Sequence, residues 1–289
     1  MTFVIKNTSM LIVRNRKDLY DFTQYIKAKK LTLGFVPTMG ALHNGHLSLF
    51  KKAMEDNQYT IGSIFVNPTQ FNNQADLIKY PRTENDDIAK LESIGCDALY
   101  LPSVEDLYPN GLECEPIKMN GLDLVMEGSF RPGHFQGMAT VVKRLLLQVQ
   151  PTRAYFGEKD FQQLQIIRHM VKTLKLPVEI VGMPIVRESN GLAMSSRNMR
   201  LTDDFKKKSI FIYQSLLKAK ELSSHHSPET VISKIERLYL NSNLKLEYFT
   251  VTEEESLQMN QTFEISKHYR AFIAVFAGDI RLIDNLQIR

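Results

Sequence analysis

The sequence lacks a strong excess of either charge. Its 289 residues include 36 Lys and Arg against 32 Asp and Glu, which gives a formal charge of +4. The charge is also evenly distributed, because residues 1–185 carry 21 basic and 19 acidic side chains and residues 186–289 carry 15 and 13. The absence of a basic arm or an acidic tail argues against a protein built mainly to bind nucleic acid or anionic lipid. A local anion site of a few residues is compatible with this balance.

Long apolar runs and cysteines are also scarce. The longest apolar candidate, Ala271–Ala277, has the length of a strand, whereas a membrane-spanning helix needs ~20 apolar residues. No basic stretch followed by an apolar segment stands at the N-terminus, so we expect no signal peptide, no membrane partner and a cytoplasmic location. Cys96 and Cys114 could form a disulfide, but we expect buried, inert thiols in a reducing compartment.

Between about residues 31 and 183, short apolar runs alternate with amphipathic helical patterns, which is typical of βαβ units. This pattern predicts a Rossmann-like, doubly wound α/β sheet of parallel strands, whose ligands bind beyond the carboxyl ends of the strands. The predicted strands are Leu11–Val13, Leu31–Val36, Thr60–Val66, Asp97–Leu101, Arg153–Phe156 and Val178–Met183. The predicted helices are His46–Asp56, Glu84–Ile94, Met138–Val149 and Asp160–Leu174.

After Val186 the pattern changes to two helices followed by three consecutive strands. This order predicts a smaller α+β domain over residues 187–289, after a nucleotide- and substrate-binding domain over residues 1–186. We predict its helices at Asp203–Leu222 and Glu229–Asn241, and its strands at Leu246–Glu253, His268–Ala277 and Arg281–Leu286. Residues 1–9 are predicted to be a loosely held extension with no assigned role.

A turn with two glycines and two histidines follows the Leu31–Val36 strand. Its sequence is PTMGALHNGH, and it opens the next predicted helix. A helix N-terminus offers unpaired N–H groups and the positive end of the helix dipole, so the phosphates of a nucleotide can bind there. Gly40 and Gly45 allow tight turns and close approach of the backbone. The imidazoles of His43 and His46 can donate hydrogen bonds to a phosphate oxygen as negative charge accumulates on it.

Other interpretations of this turn remain open. The glycines have the spacing of a P-loop, but His46 and Leu47 stand where Lys and Ser/Thr should follow, so a Walker loop is excluded. A His-x-x-His pair can bind zinc, although no H-E-x-x-H pattern and no third ligand are evident in the sequence. The two histidines could also be purely structural.

Two later segments could complete an anion site. The segment GEKDFQQ (157–163) again follows a strand and opens a helix, and Lys159 suits phosphate oxygens while Asp160 suits an N-cap. The segment MSSRN (194–198) places two hydroxyls and a guanidinium in series, which could bind β- and γ-phosphates. The alternatives are an ordinary helix start for the first segment and a nucleophilic serine or a solvated loop for the second. The G-x-S-x-G pattern of a nucleophilic serine is absent.

Further polar residues lie in the connections of the predicted sheet. Asn67–Phe71 follows the Thr60–Val66 strand, so its amides could face the same crevice. Arg131–Phe135 is a basic turn before a helix and could equally be a hinge. Asp86 and Asp87 could hold Mg²⁺, which favours one or two carboxylates together with substrate phosphates. Acids are favoured in the first turn of a helix in any case, so these two need no metal.

In order along the chain, seven segments closely resemble those of the pantothenate synthetase (pantoate–β-alanine ligase) family. They are PTMGALHNGH, FVNPTQF, YPRT, RPGHF, YFGEKDFQQL, VGMPIVRE and GLAMSSRN. The resemblance runs from about Leu11 to Ile288 and includes RLIDN at residues 281–285. The HxGH turn alone would indicate only the wider superfamily of nucleotidyltransferases and class I aminoacyl-tRNA synthetases, whereas GEKDFQQ and MSSRN are more specific. Asn44 replaces the acid that is usual in the family, and Met138 replaces a smaller residue.

The resemblance implies a role for each matched residue. His43 and His46 contact the phosphates, and His46 is the proton donor. The departing pyrophosphate is stabilised by Lys159, Ser195, Ser196 and Arg197. The implied nucleotide site consists of Met39, Gly40, Ala41, Leu42, His43, Asn44, Gly45, His46, Gly157, Glu158, Lys159, Asp160, Val186, Met194, Ser195, Ser196 and Arg197. The implied substrate site consists of Asn67, Gln70, Tyr80, Arg131, His134 and Gln163. Of these, Gln70 and Gln163 hold pantoate, and Gln70 also lies near β-alanine.

The implied reaction is a two-step ligation with ATP as a substrate and Mg²⁺ as a cofactor. ATP and pantoate give an enzyme-bound pantoyl adenylate and pyrophosphate, and β-alanine then displaces AMP to give pantothenate. The C-terminal domain would act as a lid that keeps water from the mixed anhydride. The family also implies a homodimer.

Two rival functions make different demands on the sequence. Another HxGH adenylyl- or cytidylyltransferase would use a phosphate ester as the nucleophile, but Gln70 and Gln163, without an extra basic cluster for a substrate phosphate, favour a carboxylate. A non-catalytic, RNA-binding relative of a synthetase would have a basic surface, which the even charge distribution does not predict. We therefore expect small-molecule substrates and no nucleic-acid partner.

Overall fold

The apolar segments form two sheets in the computed structural model, which describes residues 9–72 and 74–289. One sheet has six strands and the other has three. The pairs within the first sheet are parallel and those within the second are antiparallel. The predicted α/β class with a smaller α+β part is therefore confirmed. The predicted N-terminal extension lies outside the described residues except for Ser9, which is exposed.

The six parallel strands follow the predicted apolar runs, with ends within two residues of those expected. They are β1 (Leu11–Val13), β2 (Leu33–Thr38), β3 (Tyr59–Ile64), β4 (Ala98–Tyr100), β5 (Arg153–Gly157) and β6 (Glu179–Met183). Their order in the sheet is β1-β4-β3-β2-β5-β6. The central strands β2 and β3 are buried over most of their length, as expected for a parallel sheet that helices cover on both faces.

Eight α-helices accompany this sheet in the described residues. They are α1 (Arg16–Ala28), α2 (Asn44–Asp56), α3 (Gln74–Lys79), α4 (Glu84–Ser93), α5 (Val104–Leu107), α6 (Glu127–Phe130), α7 (His134–Val149) and α8 (Phe161–Thr173). The four predicted helices correspond to α2, α4, α7 and α8, and the other four were not predicted. Gly95, which follows α4, has a φ of +80°, the left-handed conformation that glycine adopts after a helix.

The direction of the chain connections reverses at β2. From β2 the chain continues to β3 on one side, whereas β5 pairs with β2 on the other side, with Phe35 opposite Ala154. Ligands of open α/β sheets bind beyond the carboxyl ends of the strands at such a switch point. The PTMGALHNGH turn follows β2 and the GEKDFQQ segment follows β5, so both begin at the strands that flank the switch point.

The described C-terminal residues form three α-helices and three antiparallel strands, besides a short 3-10 helix. They are α9 (Asp203–Lys208), α10 (Ile210–Ser223), α11 (Pro228–Tyr239), β7 (Lys245–Glu253), β8 (Tyr269–Ala277) and β9 (Ile280–Gln287), with sheet order β7-β8-β9. The single predicted helix over 203–222 is wrong, because it divides at Ser209, whose hydroxyl donates to the carbonyl of Phe205 at 2.7 Å. Ser227 caps α11 and Pro228 occupies its first turn, a position that proline favours.

The chain divides into two compact units. The sheet unit comprises residues up to Asp123, Gly128–Glu158 and Gln163–Pro184, and the C-terminal unit comprises Leu124–Glu127, Lys159–Gln162 and Ile185–Arg289. The C-terminal unit has its own apolar core, which includes Leu216, Ile235 and Ile273. The predicted lid role of the C-terminal residues stays a prediction.

Both cysteines are free thiols. Cys96 is buried, as expected, and burial raises the pKa of its thiol to about 12, which disfavours the reactive thiolate. Cys114 is exposed, which corrects the expectation that both are buried. Among the described residues, no helix is long and apolar enough to cross a membrane.

Candidate active site

The turn after β2 has the sharp backbone that its sequence predicted. Gly40 has a φ of +81° and Ala41 a φ of +50°, so two successive residues adopt the left-handed conformation. His43 then takes the N-cap position of α2 with extended backbone. Gly45 lies inside α2 rather than in the turn, so the turn role predicted for it is wrong. The turn therefore delivers His43 and His46 to the first residues of a helix.

Each of the two imidazoles accepts a hydrogen bond from the backbone at that helix N-terminus. Nδ1 of His43 accepts from the backbone N–H of Gly45 at 3.1 Å, and Nδ1 of His46 accepts from the backbone N–H of His43 at 3.3 Å. The ring centroids are 4.0 Å apart. A neutral imidazole whose Nδ1 accepts carries its proton on Nε2. Both rings are therefore set to donate from Nε2, which suits an anionic phosphate oxygen.

Asp86 and Asp87, predicted as magnesium ligands, lie in different environments. Asp87 is fully buried, and its two oxygens accept the backbone N–H groups of Ala41 and Leu42 at 2.8 and 2.7 Å. Asp86 is exposed. The oxygens of Asp87 therefore bind the histidine turn, which disfavours a metal at this position, and the predicted magnesium site stays a prediction. Across residues 9–72 and 74–289, no group of three or more His, Cys, Asp or Glu side chains could hold a metal ion.

The segment after β3 forms a buried cluster of amides. The side chain of Asn67 donates to Oε1 of Gln70 at 3.2 Å and to the carbonyl of Gly137 at 3.1 Å, and its own oxygen accepts from the Tyr108 hydroxyl at 2.7 Å. Nε2 of Gln70 donates to the sulfur of Met39 at 2.8 Å. The structure thus brings together Met39, Asn67 and Gln70, three residues predicted for the site, and adds Tyr108.

The turn before α7 contacts the same cluster. Nδ1 of His134 lies 2.8 Å from the carbonyl oxygen of Gln70, and the guanidinium of Arg131 lies 3.5 Å from that oxygen. A side chain at Gly137 would stand 2.2 Å from the carbonyl of Thr69, so glycine permits this close approach of α7. Arg131 and His134, predicted for substrate binding, therefore hold the backbone of Gln70.

Tyr80 and Gln163 complete the predicted substrate residues. The ring of Tyr80 is buried and packs edge-on against Phe71, with centroids 5.7 Å apart. Phe71 is the neighbour of Gln70 in the chain, so Tyr80 borders the amide cluster. Gln163 is half-buried in the first turn of α8. Gly157 ends β5, and a Cβ there would meet nothing within 4 Å.

Within the C-terminal unit, Lys159 lies beside β9. Its main-chain carbonyl accepts a hydrogen bond from Nδ2 of Asn285 at 2.9 Å, and its ammonium lies 3.7 Å from the carboxylate of Asp160. Asp284 precedes Asn285 in β9. Its carboxylate pairs with the two terminal guanidinium nitrogens of Arg187 at 2.6 and 3.0 Å. Burial raises the pKa of Asp284, against the opposing effect of Arg187.

The segment from Val186 to Arg197 folds back on itself. The backbone N–H of Met194 donates to the carbonyl of Val186 at 3.0 Å, which brings two predicted nucleotide-site residues together. Ser195 caps the short 3-10 helix Ser196–Arg200, and its hydroxyl accepts from the backbone N–H of Arg197. Ser196 is buried and Arg197 is half-buried. Because Arg187 binds Asp284, adjacent residues of β9 hold both this segment and Lys159.

The residues that anchor the predicted groups were not predicted from the sequence. Asp284 and Asn285 belong to the RLIDN segment, which gave a family likeness but no role. Gln162 is buried and bonds the backbone of Glu127 and Val125. Nothing in the local pattern around Tyr108 indicates that it reaches Asn67, because the two are 41 residues apart.

The chain is similar to known proteins over nearly its whole length. The family model described as pantoate-beta-alanine ligase matches residues 11–287. A pantothenate synthetase of Flavobacterium psychrophilum is 46% identical over 282 residues, which cover 97% of this chain and all of the relative. A second, from Christiangramia forsetii, is 47% identical over 281 residues, covering 96% and 99%.

Solved structures show the same likeness over the whole chain. Pantothenate synthetase from Thermus thermophilus superposes with a TM-score of 0.89 at 40% identity, covering 96% of this chain and 99% of that one. Pantoate-beta-alanine ligase from Francisella tularensis, solved in complex with beta-gamma ATP and β-alanine, superposes with a TM-score of 0.81 at 38% identity, covering 97% and 98%.

Proposed function

The chain belongs to the pantoate–β-alanine ligase family, and we propose on that premise that it joins pantoate to β-alanine through an enzyme-bound pantoyl adenylate. The family model spans nearly the whole chain, and a relative of similar fold was solved with an ATP compound and β-alanine. The observation that carries the proposal is the pair of imidazoles at the N-terminus of α2. In each ring Nδ1 accepts a backbone N–H, which leaves the proton on Nε2.

The first step is attack by a carboxylate oxygen of pantoate on the α-phosphorus of ATP. A bond forms between that oxygen and phosphorus, and the bond from phosphorus to the bridging oxygen breaks, so pyrophosphate leaves. Negative charge accumulates on the departing oxygens, and the protein's task is to position the reactants and stabilise that charge. We assign His43 and His46 to the phosphates, with Nε2 of His46 as the proton donor.

Cationic and hydroxyl groups of the C-terminal unit supply further charge stabilisation. Lys159, Ser195, Ser196 and Arg197 are proposed to contact the departing pyrophosphate. This assignment is supported by two contacts with β9. Asn285 binds the backbone of Lys159, and Asp284 binds Arg187 of the segment that leads to Ser195, Ser196 and Arg197. The remaining nucleotide contacts are proposed for Met39, Gly40, Ala41, Leu42, Asn44, Gly45, Gly157, Glu158, Asp160, Val186 and Met194.

Neutral amides are proposed to bind pantoate. Gln70 and Gln163 offer donors and acceptors for its hydroxyls and carboxylate without a charge that would reduce the nucleophilicity of the carboxylate. The cluster around Asn67 orients the Gln70 side chain, while His134 and Arg131 hold its carbonyl. Tyr80 borders this substrate region through its packing on Phe71.

In the second step, the amine of β-alanine attacks the acyl carbon of the adenylate. A carbon–nitrogen bond forms, the carbon–oxygen bond to AMP breaks, and the amine loses a proton. AMP departs with the oxygen that pantoate contributed. We place β-alanine near Gln70, and no covalent bond to the enzyme is needed in either step.

Mg²⁺ is proposed to arrive bound to the phosphate oxygens of ATP. Mg²⁺ keeps several waters and needs few protein ligands when phosphates are present. The described side chains fit this arrangement better than a protein metal site, because Asp87 is occupied by backbone N–H groups and no cluster of three ligands exists among them. No step above depends on a protein-bound metal.

Exchange of pyrophosphate into ATP tests this function. The purified chain is expected to catalyse ATP–pyrophosphate exchange that requires pantoate and is indifferent to phosphopantetheine. Exchange that requires a phosphate ester instead would favour another HxGH nucleotidyltransferase. Tight tRNA binding in a low-salt gel shift, without turnover of ATP, would favour the RNA-binding alternative and contradict the proposal.

We also propose a cytoplasmic homodimer. The family resemblance supports the homodimer, and the two free thiols support a reducing compartment. Light scattering coupled to gel filtration measures the mass of the assembly directly. Twice the 33.3 kDa of one chain is the expected result, and a mass of one chain at micromolar concentration would contradict it.

A further inference from the structure

Helix α4 binds the backbone of the histidine turn at three points. Asp87 accepts the N–H groups of Ala41 and Leu42, and it is fully buried. Lys90, nearly one helical turn further along, donates from Nζ to the carbonyl of Leu42 at 2.8 Å. Nζ of Lys90 also lies 4.0 Å from Asp87, so the two charges stabilise each other while both bind the turn.

One peptide group connects this contact to the second imidazole. The carbonyl of the peptide between Leu42 and His43 accepts from Lys90, and its N–H donates to Nδ1 of His46. A cation bound to the carbonyl polarises the peptide and strengthens the hydrogen bond that its N–H donates. The ammonium of Lys90 and Nδ1 of His46 are therefore joined through a single peptide group.

The turn needs such external contacts to keep its shape. Ala41 has a φ of +50°, a conformation that costs free energy for any residue with a Cβ. The preceding Gly40 permits the turn but does not hold it. The two hydrogen bonds to Asp87 fall on Ala41 itself and on the next residue, where they offset that cost.

We propose that Asp87 and Lys90 are positioning residues for adenylate formation. By fixing the Leu42–His43 peptide, they orient the imidazole of His46 and hold it in the Nε2–H tautomer. Asp87 thereby acts through backbone and not as a metal ligand. The kinetic part of this inference rests on the proposed function, whereas the effect on the tautomer does not.

Two variants of the full-length chain test the inference. Lys90→Met keeps an unbranched apolar side chain but removes the ammonium, and because the Lys90 side chain is 43% exposed, the variant is expected to fold. Asp87→Asn replaces one acceptor oxygen with an N–H₂ group that opposes a backbone N–H. The matched controls are Glu92→Gln, which removes an exposed charge from the same helix, and Lys172→Met on α8, which is also exposed.

The first measurement is the ¹⁵N chemical shifts of the histidine rings, assigned with His43→Gln and His46→Gln. In the wild type, Nδ1 of His46 is expected to resonate as the unprotonated nitrogen. In Lys90→Met its shift is expected to move toward the average of exchanging tautomers, while both controls stay unchanged. An unaltered His46 spectrum in Lys90→Met overturns the inference, whether or not Asp87→Asn folds.

The second measurement is the rate of pantoate-dependent exchange at varied Mg²⁺. Both variants are expected to lose roughly 10- to 100-fold in kcat, as when a group that orients a functional histidine is removed, with an unchanged Mg²⁺ concentration at half-maximal rate. Rescue of Asp87→Asn by excess Mg²⁺ would identify a metal ligand and overturn the positioning role. If the wild type shows no exchange, the proposed function fails while the ring spectra still decide this inference.

Discussion

The side chain of Asn285 donates a hydrogen bond to the main-chain carbonyl of Lys159 over 2.9 Å. The oxygen of the same amide accepts from Arg270 at 2.6 Å, and the guanidinium of Arg270 lies 4.0 Å from the centroid of the Phe161 ring. Arg270 is itself buried. These contacts fix the segment that carries Lys159 to a strand 126 residues later in the chain.

Breaking the Asn285 contact alone is expected to slow adenylate formation. Asn285→Asp keeps an acceptor for Arg270 but replaces the donor to Lys159 with an oxygen that repels the carbonyl. We expect pantoate-dependent exchange to fall about tenfold, which is roughly the contribution of one neutral hydrogen bond at the upper end of its range. Asn241→Asp, an exposed change in the same unit, is the control. An exchange rate equal to that of the wild type would show that Lys159 needs no anchor on β9.

Removing either proposed charge-stabilising group is expected to have a larger effect. Lys159→Ala and His46→Ala should each lower the rate of adenylate formation by on the order of 10²–10³, as for loss of one preorganised donor. Lys172→Ala and His225→Ala remove exposed side chains of the same types and should leave the rate unchanged. Single-turnover measurement of AMP formation checks this, and a near-normal rate removes that residue from the mechanism.

Gln163 is expected to act on one substrate only. Gln163→Ala should raise the KM for pantoate and leave the KM for ATP nearly unchanged, because the amide is assigned to pantoate. Gln163→Glu should raise the KM for pantoate further, since its carboxylate repels that of the substrate. Steady-state kinetics with each substrate varied in turn provide the test. Equal losses for both substrates would count against the assignment.

The ion pair of Glu115 is expected to make stability depend on pH on the acid side. Hydrogen bonds from Lys143 and Arg144 lower the pKa of Glu115 from its ordinary value of 4.5, despite partial burial. A lowered pKa in the folded state contributes stability that is present above pH 4.5 and is lost as the pH falls through the folded-state pKa.

The variant Glu115→Gln tests this dependence. Its melting temperature should lie below that of the wild type near pH 7, and the difference should shrink as the pH falls below about 4.5. Glu113→Gln, which changes an exposed neighbour, should show little difference at any pH. A difference for Glu115→Gln that stays constant from pH 7 to pH 3 would contradict the role of the ion pair.

Much of the fold could be predicted because its signals are local. The apolar runs of β2, β3 and β5 and the periodic helices α2 and α8 mark their own positions. By contrast, α5 and α6 have four residues each, too few for a helical period. The helix α1 does carry a periodic signal, since Leu19, Phe22 and Ile26 are buried at helical spacing, and it could have been found.

In the candidate site too, some residues could be predicted from the local sequence and others could not. Strand-to-helix turns indicate where ligands bind, so the His43 turn and the Lys159 segment could be predicted from their positions after β2 and β5. Their anchors depend on tertiary contacts between distant residues, such as Asp87 with Ala41 across 46 residues. In the sequence, Asp87 is a carboxylate that could bind a metal. Only its contacts in the structure show that its oxygens accept backbone N–H groups.

Oxygen transfer from pantoate to AMP tests the central claim most directly. With pantoate labelled with ¹⁸O in its carboxylate, attack on the α-phosphorus carries one labelled oxygen into AMP when β-alanine displaces it. The account predicts AMP with one ¹⁸O for each pantothenate formed by the full-length chain. Unlabelled AMP, or label in the released phosphates instead, would contradict a pantoyl adenylate.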